Sequence, residues 1–68
     1  SSRETINSLR RACFEIVSQS GSHIKMRGII DGKLQTVIVP NHRELAMGTF
    51  KSILKQANLT KSEFEEHL

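Results

Sequence analysis

Two β-like runs joined by a tight turn constrain this chain more than anything else in it. In Ser22-His23-Ile24-Lys25-Met26-Arg27, polar or basic residues alternate strictly with apolar ones. Side chains on a strand point to opposite faces in turn, so the run sorts into two sets. Ile24 and Met26 share one face, with small Ser22 beside them, while His23, Lys25 and Arg27 share the other. Asp31-Gly32 is a hairpin signal. It leads into Lys33-Leu34-Gln35-Thr36-Val37-Ile38-Val39, which Pro40 stops. The unbroken apolar run from Val37 to Val39 leaves the facing of that strand open. A further run, Phe14 to Gln19, is rich in β-formers and places Phe14 and Ile16 on one face. It joins the alternating run through Ser20-Gly21, so the three runs read as an antiparallel meander.

Helical patterns flank the meander. In residues 1–12, Ser1 and Glu4 fit a capping box, and Ile6, Leu9, Ala12 and Cys13 make one apolar stripe. On that stripe Cys13 reads as a buried structural thiol, and Arg3, Arg10 and Arg11 lie off it as a solvated face. Residues 40–47 have no clear period and read as a loop. Gly48-Thr49 then opens a second helix to about Ala57, with Thr49 as its cap. Phe50, Ile53, Leu54 and Ala57 face inward, and Lys51 and Lys55 lie on the other side. Thr60-Lys61-Ser62-Glu63 is a second capping box, starting a short helix that carries Phe64 and Leu68. The expected fold is α+β, in the order α-β-β-β-α with a terminal helical turn. Residues 1–68 form one domain, a three-stranded antiparallel sheet with the helices on one face and the other face open.

Size and composition bound the function. A chain of 68 residues sits near the limit for one adequate core, so chemistry belongs on an exposed face or in a shallow groove. Cys13 is the single cysteine, which excludes an intramolecular disulfide and a Cys-based zinc site and fits a reducing cytoplasm. There is no apolar run long enough for a membrane span and no signal-peptide pattern, so the expected location is cytoplasmic. Residues 1–60 hold nine Lys/Arg against four Asp/Glu, whereas residues 61–68 hold one Lys against three Glu. A basic body points to a polyanionic partner. With three Phe and no Trp or Tyr, there is little to stack on unpaired bases, so phosphate and shape contacts are the expected mode.

An imidazole aligned with two permanent cations suits a phosphodiester that carries its own nucleophile, the 2′-OH of RNA. An imidazole has an unperturbed pKa of about 6.5 and is matched to removing that proton near neutrality. Negative charge developing on the phosphoryl oxygens needs fixed cations. Lys25 and Arg27, spaced about 7 Å apart along the same strand face, are placed to supply them. Gly21 allows close backbone approach, and Ser22 is a hydrogen-bond donor at the strand margin. There is no carboxylate cluster for Mg²⁺, so the expected reaction is transesterification without metal or cofactor. His42 and Arg43 in the loop, and Lys51 and Lys55 on the second helix, are further candidate RNA contacts. Each also reads as ordinary solvated surface. His42 is in addition one candidate to protonate the leaving 5′-oxygen, and His67 in the acidic tail reads as incidental.

At this point the chain resembles a known family, the HicA toxins, which are mRNA-cleaving members of bacterial toxin–antitoxin pairs. The resemblance runs along nearly the whole chain. It is carried by Arg11-Ala12, Phe14, Gln19-Ser20-Gly21-Ser22-His23, Val37-Ile38-Val39-Pro40, His42, Gly48-Thr49, Ile53-Leu54-Lys55-Gln56-Ala57 and Leu59-Thr60. The Gly-Ser-His element, the V-x-V-P strand end and the Gly-Thr-led helix are specific in combination. The resemblance implies a double-stranded-RNA-binding-domain-like fold, endoribonuclease activity without a cofactor, and a HicB-type antitoxin. It also implies that His23 is the essential catalytic residue. Family members often have glycine where Cys13 stands, a basic residue where Ser20 stands, and Pro shortly before the Gly-Thr pair, where this chain has Ala46-Met47.

Two other classes compete with a ribonuclease toxin. A non-catalytic module would hold double-stranded RNA by shape and phosphate contacts. Alternatively, the same face would serve mainly as a docking surface for the antitoxin.

Overall fold

The first helix, α1 (Ser2–Arg11), begins where the capping pattern places it. The Ser1 hydroxyl accepts the Glu4 N–H at 3.3 Å, and the Glu4 carboxylate reaches back to the start of the helix. Its C-terminal end is set by two hydrogen bonds: Cys13 N–H donates to the Arg10 carbonyl at 3.0 Å and Phe14 N–H to the Leu9 carbonyl at 2.9 Å. This is a Schellman closure, which requires a left-handed residue just past the cap. Cys13 is that residue, with φ 74°. The expectation of a buried thiol is therefore overturned. A left-handed residue turns its side chain off the helical stripe, and Cys13 is exposed, while Phe14 takes the inward place at 1% exposure.

The computed structural model describes residues 1–68. After α1 come β1 (Glu15–Ser20), β2 (His23–Ile30), β3 (Lys33–Pro40), α2 (Met47–Ala57) and α3 (Lys61–Glu65). The strands form one antiparallel sheet in the order β1-β2-β3, and the α+β meander with helices on one face is as expected. The register settles the facing of β3. Val39 pairs with Ile24 and Val37 with Met26, all four are buried, and Ile38 points to the open face.

Twelve buried apolar residues make one core shared by sheet and helices. Phe14 lies on Gly28, where a Cβ would meet the ring at 2.7 Å, so the glycine is there to admit the aromatic ring. Ile16 shares the inward side by register but stays exposed, because β1 is one edge of the sheet and the helices pack chiefly on β3 at the other. Against the core α1 also buries three small polar residues, Ser2, Thr5 and Ser8. The Ser8 hydroxyl donates to the Phe64 carbonyl at 3.1 Å, tying α3 to α1.

Two further boundaries differ from the expectation. α2 starts at Met47 rather than at Gly48-Thr49, with Ala46 as a cap that makes no side-chain hydrogen bond. The first helical bond runs from Phe50 N–H to the Ala46 carbonyl, so Thr49 lies inside the first turn and does not cap it. α3 ends at Glu65 and so excludes Leu68, which is exposed. Phe64 is the one buried residue of α3, its ring edge on to Phe50 with centroids 5.2 Å apart.

Candidate nucleic-acid interface

β2 presents His23, Lys25 and Arg27 on the face away from the helices. His23 and Arg27 are exposed and Lys25 is half-buried. The flanking strands decide their surroundings. Ser20 and Pro40 lie across from His23, Ser18 and Ile38 from Lys25, and Glu15 and Thr36 from Arg27. The β1 side of this row depends on an irregularity between Ile16 and Ser18. Regular pairing would have set Val17 and Gln19 opposite Lys25 and His23. The bulge at Val17 substitutes Ser18 and Ser20, so hydroxyls border the histidine and the lysine.

These cations are not consumed by internal pairing. The ion pairs of the molecule are the Ser1 ammonium with Glu4 and Lys61 with Glu65. Lys25, Arg27 and Arg43 join none, and Glu15 lies opposite Arg27 without forming an ion pair. Buried ion pairs would have neutralised the field of this face. Unpaired cations on an open sheet leave it available to an anion. No aromatic ring shares the surface, since Phe14 and Phe64 are buried and Phe50 half-buried on the helix side. No surface depression is lined by His23 or Lys25.

Gly21 and Ser22 form the two-residue turn that delivers His23 at the start of β2. Gly21 has φ +58° with open space around it, so its backbone conformation, not crowding, calls for glycine. The Ser22 carbonyl accepts the Asn41 N–H, which carries the β2–β3 pairing one residue past Pro40 and holds the start of the following loop beside His23. His42 and Arg43 are exposed in that loop. The buried Ser2 hydroxyl lies within 2.6 Å of the His42 carbonyl and accepts the His42 N–H at 2.9 Å.

Lys51 and Lys55 are exposed on α2, which packs on the other side of the sheet through Ile53, Leu54 and Ala57. Lys55 borders a depression with Asp31, at the end of the β2–β3 hairpin remote from His23. The structure therefore brings Gly21, Ser22, His23, Lys25, Arg27 and the 41–43 segment together, whereas Lys51 and Lys55 lie on α2, which reaches the β3 edge through the Gln56 side chain accepting the Ile38 N–H at 2.9 Å. Sequence reasoning missed Ser18 and Ser2, and marked Ser20 only as a turn residue where the family often has a cation. A bulge is invisible to alternation, and Ser2 reads as an ordinary residue in the first turn of a helix. No group of three His, Cys, Asp or Glu is placed to hold a metal ion.

The fold is a three-stranded antiparallel sheet backed by helices, with an imidazole and cations free of ion pairs on its bare face. The chain belongs to the HicA toxin family: the family described as HicA toxin of bacterial toxin-antitoxin matches residues 2–59. The match runs from the start of α1 through α2 and leaves α3 outside. Membership gives the chain a toxin role within a toxin–antitoxin system, and with it an antitoxin partner. No curated protein and no solved structure matches the chain. No helix is long and apolar enough to cross a membrane.

Proposed function

We propose that the protein is a cytoplasmic endoribonuclease toxin that cleaves mRNA with His23 as its base and is inhibited by a HicB-type antitoxin. The observation that carries this reading is the row His23, Lys25, Arg27 on one open strand face, its cations free of internal partners. His23 takes the proton of a 2′-OH, and the oxygen attacks the adjacent phosphorus. Lys25 and Arg27 hold the phosphoryl oxygens of that phosphate and its neighbour, at the spacing of about 7 Å that same-face strand residues have. Gly21 and Ser22 bring backbone close to the ribose. His42 and Arg43 extend the contact along the strand of RNA. Lys51 and Lys55 reach only an RNA that wraps past the β3 edge. The RNA itself supplies the nucleophile, so the step requires neither metal nor cofactor.

The test is the chemistry of the ends. Cleaved RNA should carry 2′,3′-cyclic phosphate or its hydrolysis product beside a 5′-hydroxyl, in the presence of excess EDTA. An RNA with 2′-O-methyl groups and a matched DNA should resist. Products with 5′-phosphate ends, or cleavage abolished by EDTA, would sink the mechanism. Tight binding of duplex RNA with no cleavage of any RNA would instead favour the non-catalytic module.

A further inference from the structure

His42 is an exposed side chain on an unusually well-held piece of backbone. Its N–H donates to the Ser2 hydroxyl at 2.9 Å, its carbonyl lies 2.6 Å from that hydroxyl, and the Ser2 N–H donates to the same carbonyl at 3.3 Å. The hydroxyl also reaches the Pro40 carbonyl at 2.5 Å. Ser2 is 1% exposed and its bonds to the loop are partly buried, so removing the hydroxyl would leave the backbone of residues 40–42 short of a partner. One residue earlier, Asn41 is bonded to Ser22, the neighbour of His23. Pro40, two residues earlier, is the cross-strand partner of His23. The segment carrying the second exposed imidazole is thus fixed from two directions, by α1 and by the site strand. That backbone starts the His42 side chain from a fixed point, two residues past the partner of His23.

We infer that His42 is the proton donor to the leaving 5′-oxygen and that Ser2 is the positioning residue that sets it beside His23. The inference rests on the ribonuclease reading above. In the step, His23 accepts the 2′-OH proton as the 2′-oxygen forms its bond to phosphorus. The bond from phosphorus to the 5′-oxygen breaks, and that oxygen takes a proton from the His42 imidazolium. The products are a 2′,3′-cyclic phosphate and a 5′-hydroxyl. His23 leaves the step protonated and His42 neutral, and exchange with water restores both. An imidazole serves either role because its ordinary pKa lies near working pH.

The experiment compares an RNA dinucleotide with a ribonucleoside 3′-(4-nitrophenyl phosphate), whose phenolate leaves without needing a proton. His42→Ala should lose roughly 10²-fold or more in kcat on the dinucleotide, the usual size of a general-acid contribution, and should keep nearly all of its kcat on the nitrophenyl ester. His23→Ala should be inactive on both. Ser2→Ala should lower kcat on the dinucleotide roughly tenfold with KM little changed, as misplacement of a catalytic group does. Ser2→Thr, which keeps the hydroxyl, should recover most of that loss. Ser8→Ala, which removes the other buried hydroxyl bond of α1, should keep kcat. Equal losses by His42→Ala on both substrates would make His42 a binding residue and overturn the proposal. So would equal kcat losses in Ser2→Ala and Ser8→Ala, or full dinucleotide cleavage by His42→Ala. Activity retained by His23→Ala on both substrates would instead overturn the ribonuclease reading beneath it.

Discussion

At the scale of single residues, Gly28 and Cys13 are each held by a constraint that hydrophobic patterning does not express, a distant ring for the first and a helix closure for the second. Gly28 sits in a β-like run where any side chain satisfies alternation, yet the Phe14 ring fills the space its Cβ would need, with ring atoms at 2.7 to 3.0 Å. Gly28→Ala should destabilise the protein by about 1–3 kcal/mol, the usual cost of overpacking, read as a lowered midpoint in urea. Cys13 sits on what looks like the apolar stripe of α1, but the closure of that helix takes it into the left-handed region at φ 74°. A residue with a Cβ is strained there, so Cys13→Gly should stabilise by about 1 kcal/mol in the same measurement. His23, Lys25 and Arg27 were legible because the period of a strand is local: alternation alone puts them on one face. Ser2 was not, because nothing in the first turn of a helix announces that its hydroxyl will bind a loop some 40 residues on.

Elements follow the same division between local and tertiary signals. Both capping boxes were readable from S-x-x-E and T-x-x-E spacing, since each is closed by residues three apart. They also make these helix ends sensitive to acid. The Thr60 backbone N–H and then its hydroxyl hold the Glu63 carboxyl below its ordinary value of 4.5. The Ser1 hydroxyl and then the N-terminal ammonium do the same to Glu4. A depressed folded pKa means stabilisation that is complete above the unfolded value and is lost as pH falls through the folded one. The ¹³Cα shifts of residues 61–65 should therefore move toward coil values as pH falls below about 4.5, and Glu63→Gln should remove that dependence. A titration unchanged by the substitution would contradict this account of the cap. α2 lacked such a signal. Its Ala46 cap makes no side-chain bond, so Thr49 drew the boundary to itself. The bulge in β1 is the costliest omission for function, because it decides that Ser18 and Ser20, rather than Val17 and Gln19, border the cationic row.

At the scale of the whole molecule, the sheet separates two kinds of surface. One face is covered by helices and holds the core; the other is bare and free of aromatic rings, with His23, Lys25 and Arg27 beside exposed Ile29, Leu34 and Ile38. RNA held on such a face is bound through phosphates, and its affinity should fall with salt. Lys25→Ala and Arg27→Ala should each reduce the slope of log K against log salt by about 0.7, the value for one contact on a single strand. Lys51→Ala leaves that slope unchanged unless the RNA wraps past β3. The sheet order and the bare face were foreseeable from amphipathic patterning, whereas the bond from the Ile38 N–H to the Gln56 side chain, which sets α2 along the β3 edge, was not, because helix periodicity does not say which strand a helix meets. The most direct test of the central claim is cleavage of a labelled single-stranded RNA in excess EDTA by wild type and His23→Ala, with RNA affinity measured for both. The account predicts equal binding, with cleavage by wild type alone. Equal cleavage by both proteins would contradict it.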